Sequence, residues 1–211
     1  MLKPGWGYRT YVEWALDVPM LFVRHGSEYR DAQQQTFRSW LATGTLAGGE
    51  KAQPTLSNWV DHLTTLFPEV RVKRVLELRG ADVVPPPLMM SLPAIWVGLL
   101  YDREAGRAAA ELTARWSFPE LVEFQGEVAR NALQARGPDG ITALELGRQL
   151  LRIARQGLKG WQQASGFDES AHLDPLEEIL DSGHTLAERV VEAYRASGGE
   201  PESVVKLWQV A

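Results

Sequence analysis

The sequence predicts an α+β fold in one continuous piece, with mixed helices and strands over residues 1–84 and helices over residues 85–211. Apolar and polar side chains alternate over residues 70–80, as they do in a half-buried strand. In the second half, apolar residues recur at helical spacing behind Ser and Thr residues that suit helix starts. The composition shifts near Pro85 without a flexible linker, so we expect a single domain with few antiparallel strands and a helical second half.

Composition narrows the classes of function. The chain has 211 residues, of which 45% are hydrophobic, which favours one sizeable core over disorder. Its net charge of −5 favours neither nucleic acid nor an anionic membrane as a partner. It contains no cysteine, which excludes disulfides and thiolate chemistry. Because no leader-like apolar segment or apolar run of membrane-spanning length is present, we expect a cytoplasmic protein that does not insert into membranes.

The first half begins with a helix over residues 8–18, which Pro19 closes, followed by a strand candidate over residues 20–30. A short helix from Thr36 should stop at Gly44, and a loop leads to a helix over residues 55–67. The predicted buried stripe of that helix includes Leu56, Trp59, Val60 and Leu63. His62 lies beside this stripe, where a histidine is more often at the surface or hydrogen-bonded than catalytic.

The second half starts with three prolines at 85–87, which predict a stiff extended connector. One or two helices follow over residues 88–116, and Ser117 with Glu120 predicts the next helix start. Further helices are predicted over residues 141–164, after Asp174, and after Thr185, which forms a capping box with Glu188. The end of the chain, from Glu202, is interpreted as a frayed tail or a short docking segment.

The charged stretch 70–80 is the best candidate for function. A continuous strand would place Arg71, Lys73, Val75, Glu77 and Arg79 on one face. One interpretation is a solvated face on which Glu77 only bridges neighbouring cations. The other is a cavity for anions, in which the Arg and Lys side chains bind carboxylate or phosphate and Glu77 holds a hard cation such as Mg²⁺.

Four separated blocks of sequence carry a family resemblance. They are YVEWALDVPM at 11–20, TFRSWL at 36–41, NWVDHLTTLFPEVRVKRVLELRGAD at 58–82 and LPAIWVGLLYD at 92–102. In this order they resemble the plant and bacterial type of glutamate-cysteine ligase. A related ligase of ergothioneine synthesis has a similar HLTTLFP block, but RGAD at 79–82 is more similar to the glutathione branch.

The resemblance implies a glutamine-synthetase-like fold and ATP-dependent joining of the glutamate γ-carboxylate to the cysteine amine through a γ-glutamyl phosphate. It implies ATP and Mg²⁺ as cofactors and glutamate and cysteine as small-molecule partners. By this resemblance, Glu77 would be a metal ligand and Arg79 a catalytic residue, since Glu77-Leu78-Arg79 matches the family's Glu-x-Arg strand. The resemblance further implies substrate-binding positions at Arg71, Lys73, Met20, Leu21 and Phe67.

Members of that family are considerably longer, so the resemblance implies that this chain is a C-terminal portion with an incomplete site and little or no activity alone. Two alternatives stay open: a non-catalytic helical interaction module, and the ligase of the ergothioneine branch. The sequence leaves self-association open as well.

Overall fold

The computed structural model describes residues 7–207 and shows an α+β protein rich in helix with two small antiparallel sheets. The chain forms two compact units, Met1–Asp82 and Val83–Ala211, and each is described by itself. The final residues of the predicted tail, 208–211, lie outside the described part of the chain. None of the described helices has the length and apolar character needed to cross a membrane.

The first unit alternates helices and two-stranded hairpins: α1 Tyr8–Asp17, β1 Phe22–His25, β2 Glu28–Asp31, α2 Phe37–Thr43, α3 Leu56–Thr64, β3 Val70–Val72 and β4 Leu76–Leu78. The predicted helix starts are confirmed at Thr36 and Thr55, whose side chains accept hydrogen bonds from the Ser39 and Asn58 amides. Gly44 ends α2 in the left-handed conformation, as predicted.

The core of the first unit has two clusters. One contains Met20, Val23, Ala32, Phe37 and Trp40, and the other contains Tyr11, Ala15 and Leu66. Trp59 of α3 packs against both clusters. The predicted stripe of α3 is wrong at Leu56 and Val60, which are exposed, because the helix turns His62 inward instead.

His62 is buried, and only one of its two ring nitrogens has a hydrogen-bond partner. Nε2 lies 2.8 Å from the Ala15 carbonyl oxygen, so Nε2 carries the proton and donates it. The ring stacks on Phe37 at 5.4 Å between centroids, while Nδ1 has no hydrogen-bond partner. Of the two environments expected for His62, surface or hydrogen-bonded, the structure shows the hydrogen-bonded one.

The prediction of one strand over residues 70–80 is wrong. The segment folds back on itself: β3 and β4 pair antiparallel, with Val70 opposite Leu78, Arg71 opposite Glu77 and Val72 opposite Leu76. The bend over residues 73–75 is closed by a hydrogen bond from the Lys73 amide to the Val75 carbonyl, 3.1 Å. The bend contains no Gly, Pro, Asn or Asp, so the usual sequence signs of a turn are missing there.

The regular elements among the described residues of the second unit are helices: α4 Pro86–Met89, α5 Ser91–Leu100, α6 Arg103–Glu111, α7 Phe118–Asn131, α8 Ala143–Ser165, α9 Asp174–Ser182, α10 Leu186–Ala196 and α11 Pro201–Leu207. Two short 3₁₀ helices, Ala132–Gln134 and Ser170–Leu173, connect them. The helix start predicted at Ser117 and the capping box predicted at Thr185 are confirmed, and Ser117 also forms a capping box with Glu120. The prediction of an extended proline connector is wrong, because Pro86 and Pro87 form the first turn of α4. Amides in the first turn of a helix make no hydrogen bond within the helix, so proline, which has no amide proton, is tolerated there.

The long helix α8 organises the core of this unit. Its buried residues Leu151, Ala154 and Leu158 pack with Ala94 and Leu99 of α5 and with Leu173. At the crossing, Gly98 faces the Ala154 backbone, and Gly157 faces the Gly98 carbonyl. Neither glycine leaves room for a methyl group, so the two backbones touch directly.

Candidate functional site

The β3–β4 hairpin keeps the predicted grouping of side chains although the predicted single strand is wrong. Each pair of opposite residues joins two odd or two even positions, because the hairpin folds about Arg74. Opposite residues in an antiparallel pair point to the same face. Arg71 and Glu77 therefore share a face, and Arg79 is adjacent to them since its amide donates to the Glu69 carbonyl at 2.9 Å.

Glu77 lies at the centre of this face between two arginines. Its carboxylate accepts from Arg71 through a fork, with Nε to Oε2 at 2.9 Å and Nη2 to Oε1 at 3.0 Å. Arg79 Nη1 donates to the same Oε1 at 2.7 Å. These hydrogen bonds, above all those from Arg71, hold the pKa of the Glu77 carboxyl below its usual value, so Glu77 is an anion at neutral pH.

Arg71 is also tied to the end of helix α3. Its Nη1 donates to the Thr64 carbonyl at 2.7 Å and to the Leu66 carbonyl at 3.3 Å. These carbonyls lie where a helix leaves its last acceptors unpaired, and a cation is favourable there. Arg71 thereby connects the end of α3 with the carboxylate of β4.

Arg79 and Phe67 form the outer part of the face. The Arg79 guanidinium lies 5.6 Å from the centroid of the Phe67 ring, a cation–π distance. The Phe67 side chain is 70% exposed, so this contact lies at the surface. Lys73 is exposed at the bend of the same hairpin. We call this group the hairpin site. It consists of four residues of the hairpin and its end, Arg71, Lys73, Glu77 and Arg79, together with Phe67 in the segment that leads into β3.

Met20 and Leu21, the other two predicted substrate positions, lie elsewhere in the first unit. Met20 is 2% exposed within the core cluster of β1 and α2, whereas Leu21 is 60% exposed. Among residues 7–207, no hydrogen bond, ion pair or ring contact joins either residue to the hairpin site. In this structure Leu21 is the one of the two whose side chain a ligand could reach.

The residues that the structure describes offer part of a Mg²⁺ site. In the part of the chain that the structure describes, no three His, Asp or Glu side chains are grouped as metal ligands. Mg²⁺ in nucleotide enzymes is commonly held by one or two carboxylates together with phosphate oxygens and water. Glu77 is a partly exposed carboxylate of the kind that such a site uses.

Sequence reasoning missed the anchoring of Arg71 and its direct pairing with Glu77. Both depend on the bend at 73–75, which brings together residues that a single strand would hold far apart. The available signal was an Arg and a Glu six positions apart, with Arg74 midway between them.

Comparison with known proteins agrees with the four-block resemblance. Residues 3–206 match glutamate-cysteine ligase family 2. The chain is 40% identical over 190 residues to the chloroplastic glutamate--cysteine ligase of Medicago truncatula, covering 90% of this chain and 36% of that protein. It is 38% identical over 196 residues to the Arabidopsis thaliana protein of that name, and 36% identical over 196 residues to the Solanum lycopersicum one; each alignment covers 93% of this chain and 36% of the relative.

Two consequences follow from these relatives. The chain spans only about a third of their length. The expected cytoplasmic location is contradicted, because these relatives are named as chloroplastic proteins. The expectation was drawn from missing apolar segments, and transit peptides to the chloroplast are rich in Ser and Arg rather than apolar, so that absence had no bearing on the compartment.

The family match extends over nearly the whole chain and includes every residue of the hairpin site. The chain belongs to glutamate-cysteine ligase family 2.

Proposed function

We propose that this chain provides one wall of the active site of an ATP-dependent ligase that joins the glutamate γ-carboxylate to the amine of cysteine, the first step of glutathione synthesis. Its family membership and the names of its relatives support the reaction. The observation that carries the proposal is the hairpin site, where two arginines and a carboxylate are placed together within hydrogen-bond distance.

The chemistry requires cations that are in position before the reaction. An oxygen of the γ-carboxylate forms a bond to the γ-phosphorus of ATP while ADP leaves, which gives a γ-glutamyl phosphate. The cysteine amine then attacks the acyl carbon to form the C–N bond, the C–O bond to phosphate breaks with its electrons going to phosphate, and the nitrogen gives up one proton to phosphate or water. Both steps bring anions together, and positioned cations stabilise the charge that they develop.

Arg79 is the residue best placed to meet these anions. Of its guanidinium nitrogens, only Nη1 makes a recorded hydrogen bond to a described residue, and its side chain is 29% exposed. Its other donors can form a fork with a carboxylate or a phosphoryl group. Lys73, at the exposed bend, would add a point charge near the phosphates.

Glu77 would be a ligand of Mg²⁺, as the Glu-x-Arg pattern implies. A bound Mg²⁺ would neutralise charge on the nucleotide phosphates. Glu77 suits the role because it is ionised and 37% exposed. Met20, Leu21 and Phe67 are proposed to line the cysteine pocket; of these, Leu21 and Phe67 have side chains at the surface.

We further propose that β3 and β4 belong to a larger, glutamine-synthetase-like antiparallel sheet in a protein of family length. Support comes from the face of the hairpin opposite Glu77, where Val70 and Leu76 are exposed although they are apolar. A two-stranded hairpin alone is marginal, and further strands or a helix would bury these side chains. On this view the isolated chain, lacking the other walls, forms γ-glutamylcysteine slowly or not at all.

Activity in a protein of family length tests the proposal. In a chimeric enzyme, this segment replaces the matched segment of the Medicago truncatula relative. Glu77→Gln and Arg79→Ala should each lower kcat/KM by about 10²–10³-fold, as expected when one electrostatic contact to the transition state is lost. Arg103→Ala, which removes an exposed arginine at the start of α6, is the matched control and should leave activity unchanged. An inactive unmodified chimera, or near-normal activity in both site variants, contradicts the proposal.

A further inference from the structure

The two arginines that contact Glu77 differ in how many donors they have already used. All three guanidinium nitrogens of Arg71 donate to protein oxygens: Nε and Nη2 to the Glu77 carboxylate, and Nη1 to the carbonyls of Thr64 and Leu66. The Arg71 side chain is only 12% exposed. The Arg79 guanidinium, by contrast, makes one hydrogen bond to described residues, from Nη1 to Glu77, and its side chain is 29% exposed.

A guanidinium whose nitrogens are all engaged has little capacity to bind an incoming anion. To reach a phosphate, Arg71 would have to give up its fork on Glu77 or leave the α3 carbonyls without their partner. Leaving a buried acceptor or a charge unpaired is costly. The fork also fixes the rotation of the carboxylate, because two parallel N–H···O bonds define its plane.

We infer that Arg71 is a positioning residue, which holds the Glu77 carboxylate against the end of α3 and does not itself bind substrate. This rests on the proposed function of Glu77, and it replaces the implied role of Arg71 as a substrate-binding residue. Arg79 then shares only one oxygen of Glu77 and is the arginine that can exchange that contact for a substrate anion. Arg71 and Arg79 have different roles because the hairpin places Arg71 directly opposite Glu77 and within hydrogen-bond distance of the Leu66 carbonyl.

The first test uses the 211-residue chain itself and needs no activity. In ¹⁵N NMR, the Nε–H of Arg71 should exchange with water about tenfold or more slowly than that of Arg79, since only the former is hydrogen-bonded to a carboxylate. Glu77→Gln should speed the exchange of Arg71 Nε–H. Asp17→Asn is the matched control, because it alters one of the two carboxylates that accept from Arg38 in the same unit and should leave Arg71 unchanged. Equal exchange rates for Arg71 and Arg79 overturn the inference.

The second test asks whether Arg71 acts through Glu77. In the chimeric enzyme with bound nucleotide, Mn²⁺ binding is measured by electron paramagnetic resonance and glutamate binding by calorimetry. Arg71→Lys, which loses the fork but keeps the charge, should weaken Mn²⁺ binding by about tenfold and leave glutamate binding unchanged, as for a residue that orients a metal ligand. In a Glu77→Gln background, Arg71→Lys should have no further effect.

The outcomes separate the inference from the function on which it rests. If Arg71→Lys weakens glutamate or nucleotide binding and leaves Mn²⁺ binding unchanged, Arg71 contacts substrate and the inference is wrong. If its effect adds fully to that of Glu77→Gln, it does not act through Glu77. If Glu77→Gln itself leaves Mn²⁺ binding unchanged, the proposed metal role fails, while the exchange rates still decide whether Arg71 holds the carboxylate.

Discussion

Substituting Gly157 by Ala should loosen the crossing of α5 and α8 in the second unit. A methyl group on Gly157 would overlap the Gly98 carbonyl oxygen and would lie 3.0 Å from the Ala105 side chain. The neighbours Ala154 and Leu158 are fully buried, so the methyl group cannot turn toward solvent. Overpacking of this kind costs roughly 3 kcal/mol when backbone must move. Ala gains about 1 kcal/mol over Gly in helix propensity, which leaves a net loss of about 2 kcal/mol.

Urea unfolding followed by hydrogen exchange of the α5 and α8 amides measures this loss. Gly126→Ala in α7 is the matched control, because a methyl group there would meet only the Arg130 side chain, at an ordinary 3.6 Å. The control should be about 0.5–1 kcal/mol more stable than the parent chain, through propensity alone. If Gly157→Ala is as stable as Gly126→Ala, the helices do not make backbone contact at this crossing and the reasoning is refuted.

Three further predictions concern pH, capping and activity. Burial lowers the pKa of His62 in the folded protein. The free energy of unfolding should therefore be highest above the pKa of histidine in the unfolded chain, about 6.5, and should fall as the pH falls through the folded pKa. His62→Gln should flatten this part of the pH dependence of stability. Thr142→Ala removes the side chain that accepts from the Glu145 amide and should cost about 1 kcal/mol in urea unfolding, and an unchanged midpoint would contradict the cap. The purified 211-residue chain should form little or no γ-glutamylcysteine from ATP, glutamate and cysteine, and robust product formation would show that its site is complete.

Local signals in the sequence predicted most of the helices. Ser117, Thr185 and Gly44 each have a direct backbone role at a helix end, so their positions could be found without knowledge of the packing. The buried face of α3 was harder to predict, because His62 is buried by a hydrogen bond to Ala15, a residue 47 positions away. A polar residue at a core position cannot be recognised until its distant partner is known.

The sequence predicted that Arg71, Glu77 and Arg79 share a face, but it did not predict the bend that pairs Arg71 with Glu77. Alternation placed Arg71, Glu77 and Arg79 on one face, and the symmetric fold about Arg74 kept them there. The bend itself left no sign among the residues that usually mark turns. The sequence also could not predict that Arg71 has fewer free hydrogen-bond donors than Arg79. That difference depends on the carbonyls of Thr64 and Leu66 at the end of α3, which accept from Arg71.

We propose that the hairpin site meets metal and substrate anions. A crystal structure of the chimeric enzyme with a non-hydrolysable ATP analogue, glutamate and Mn²⁺ in place of Mg²⁺ tests this proposal. We expect an anomalous Mn²⁺ peak within about 2.2 Å of a Glu77 oxygen. We also expect Arg79 on a substrate or phosphate oxygen and Arg71 still forked on Glu77. A metal bound elsewhere, with Glu77 still paired to both arginines and no ligand on Arg79, would contradict the proposal.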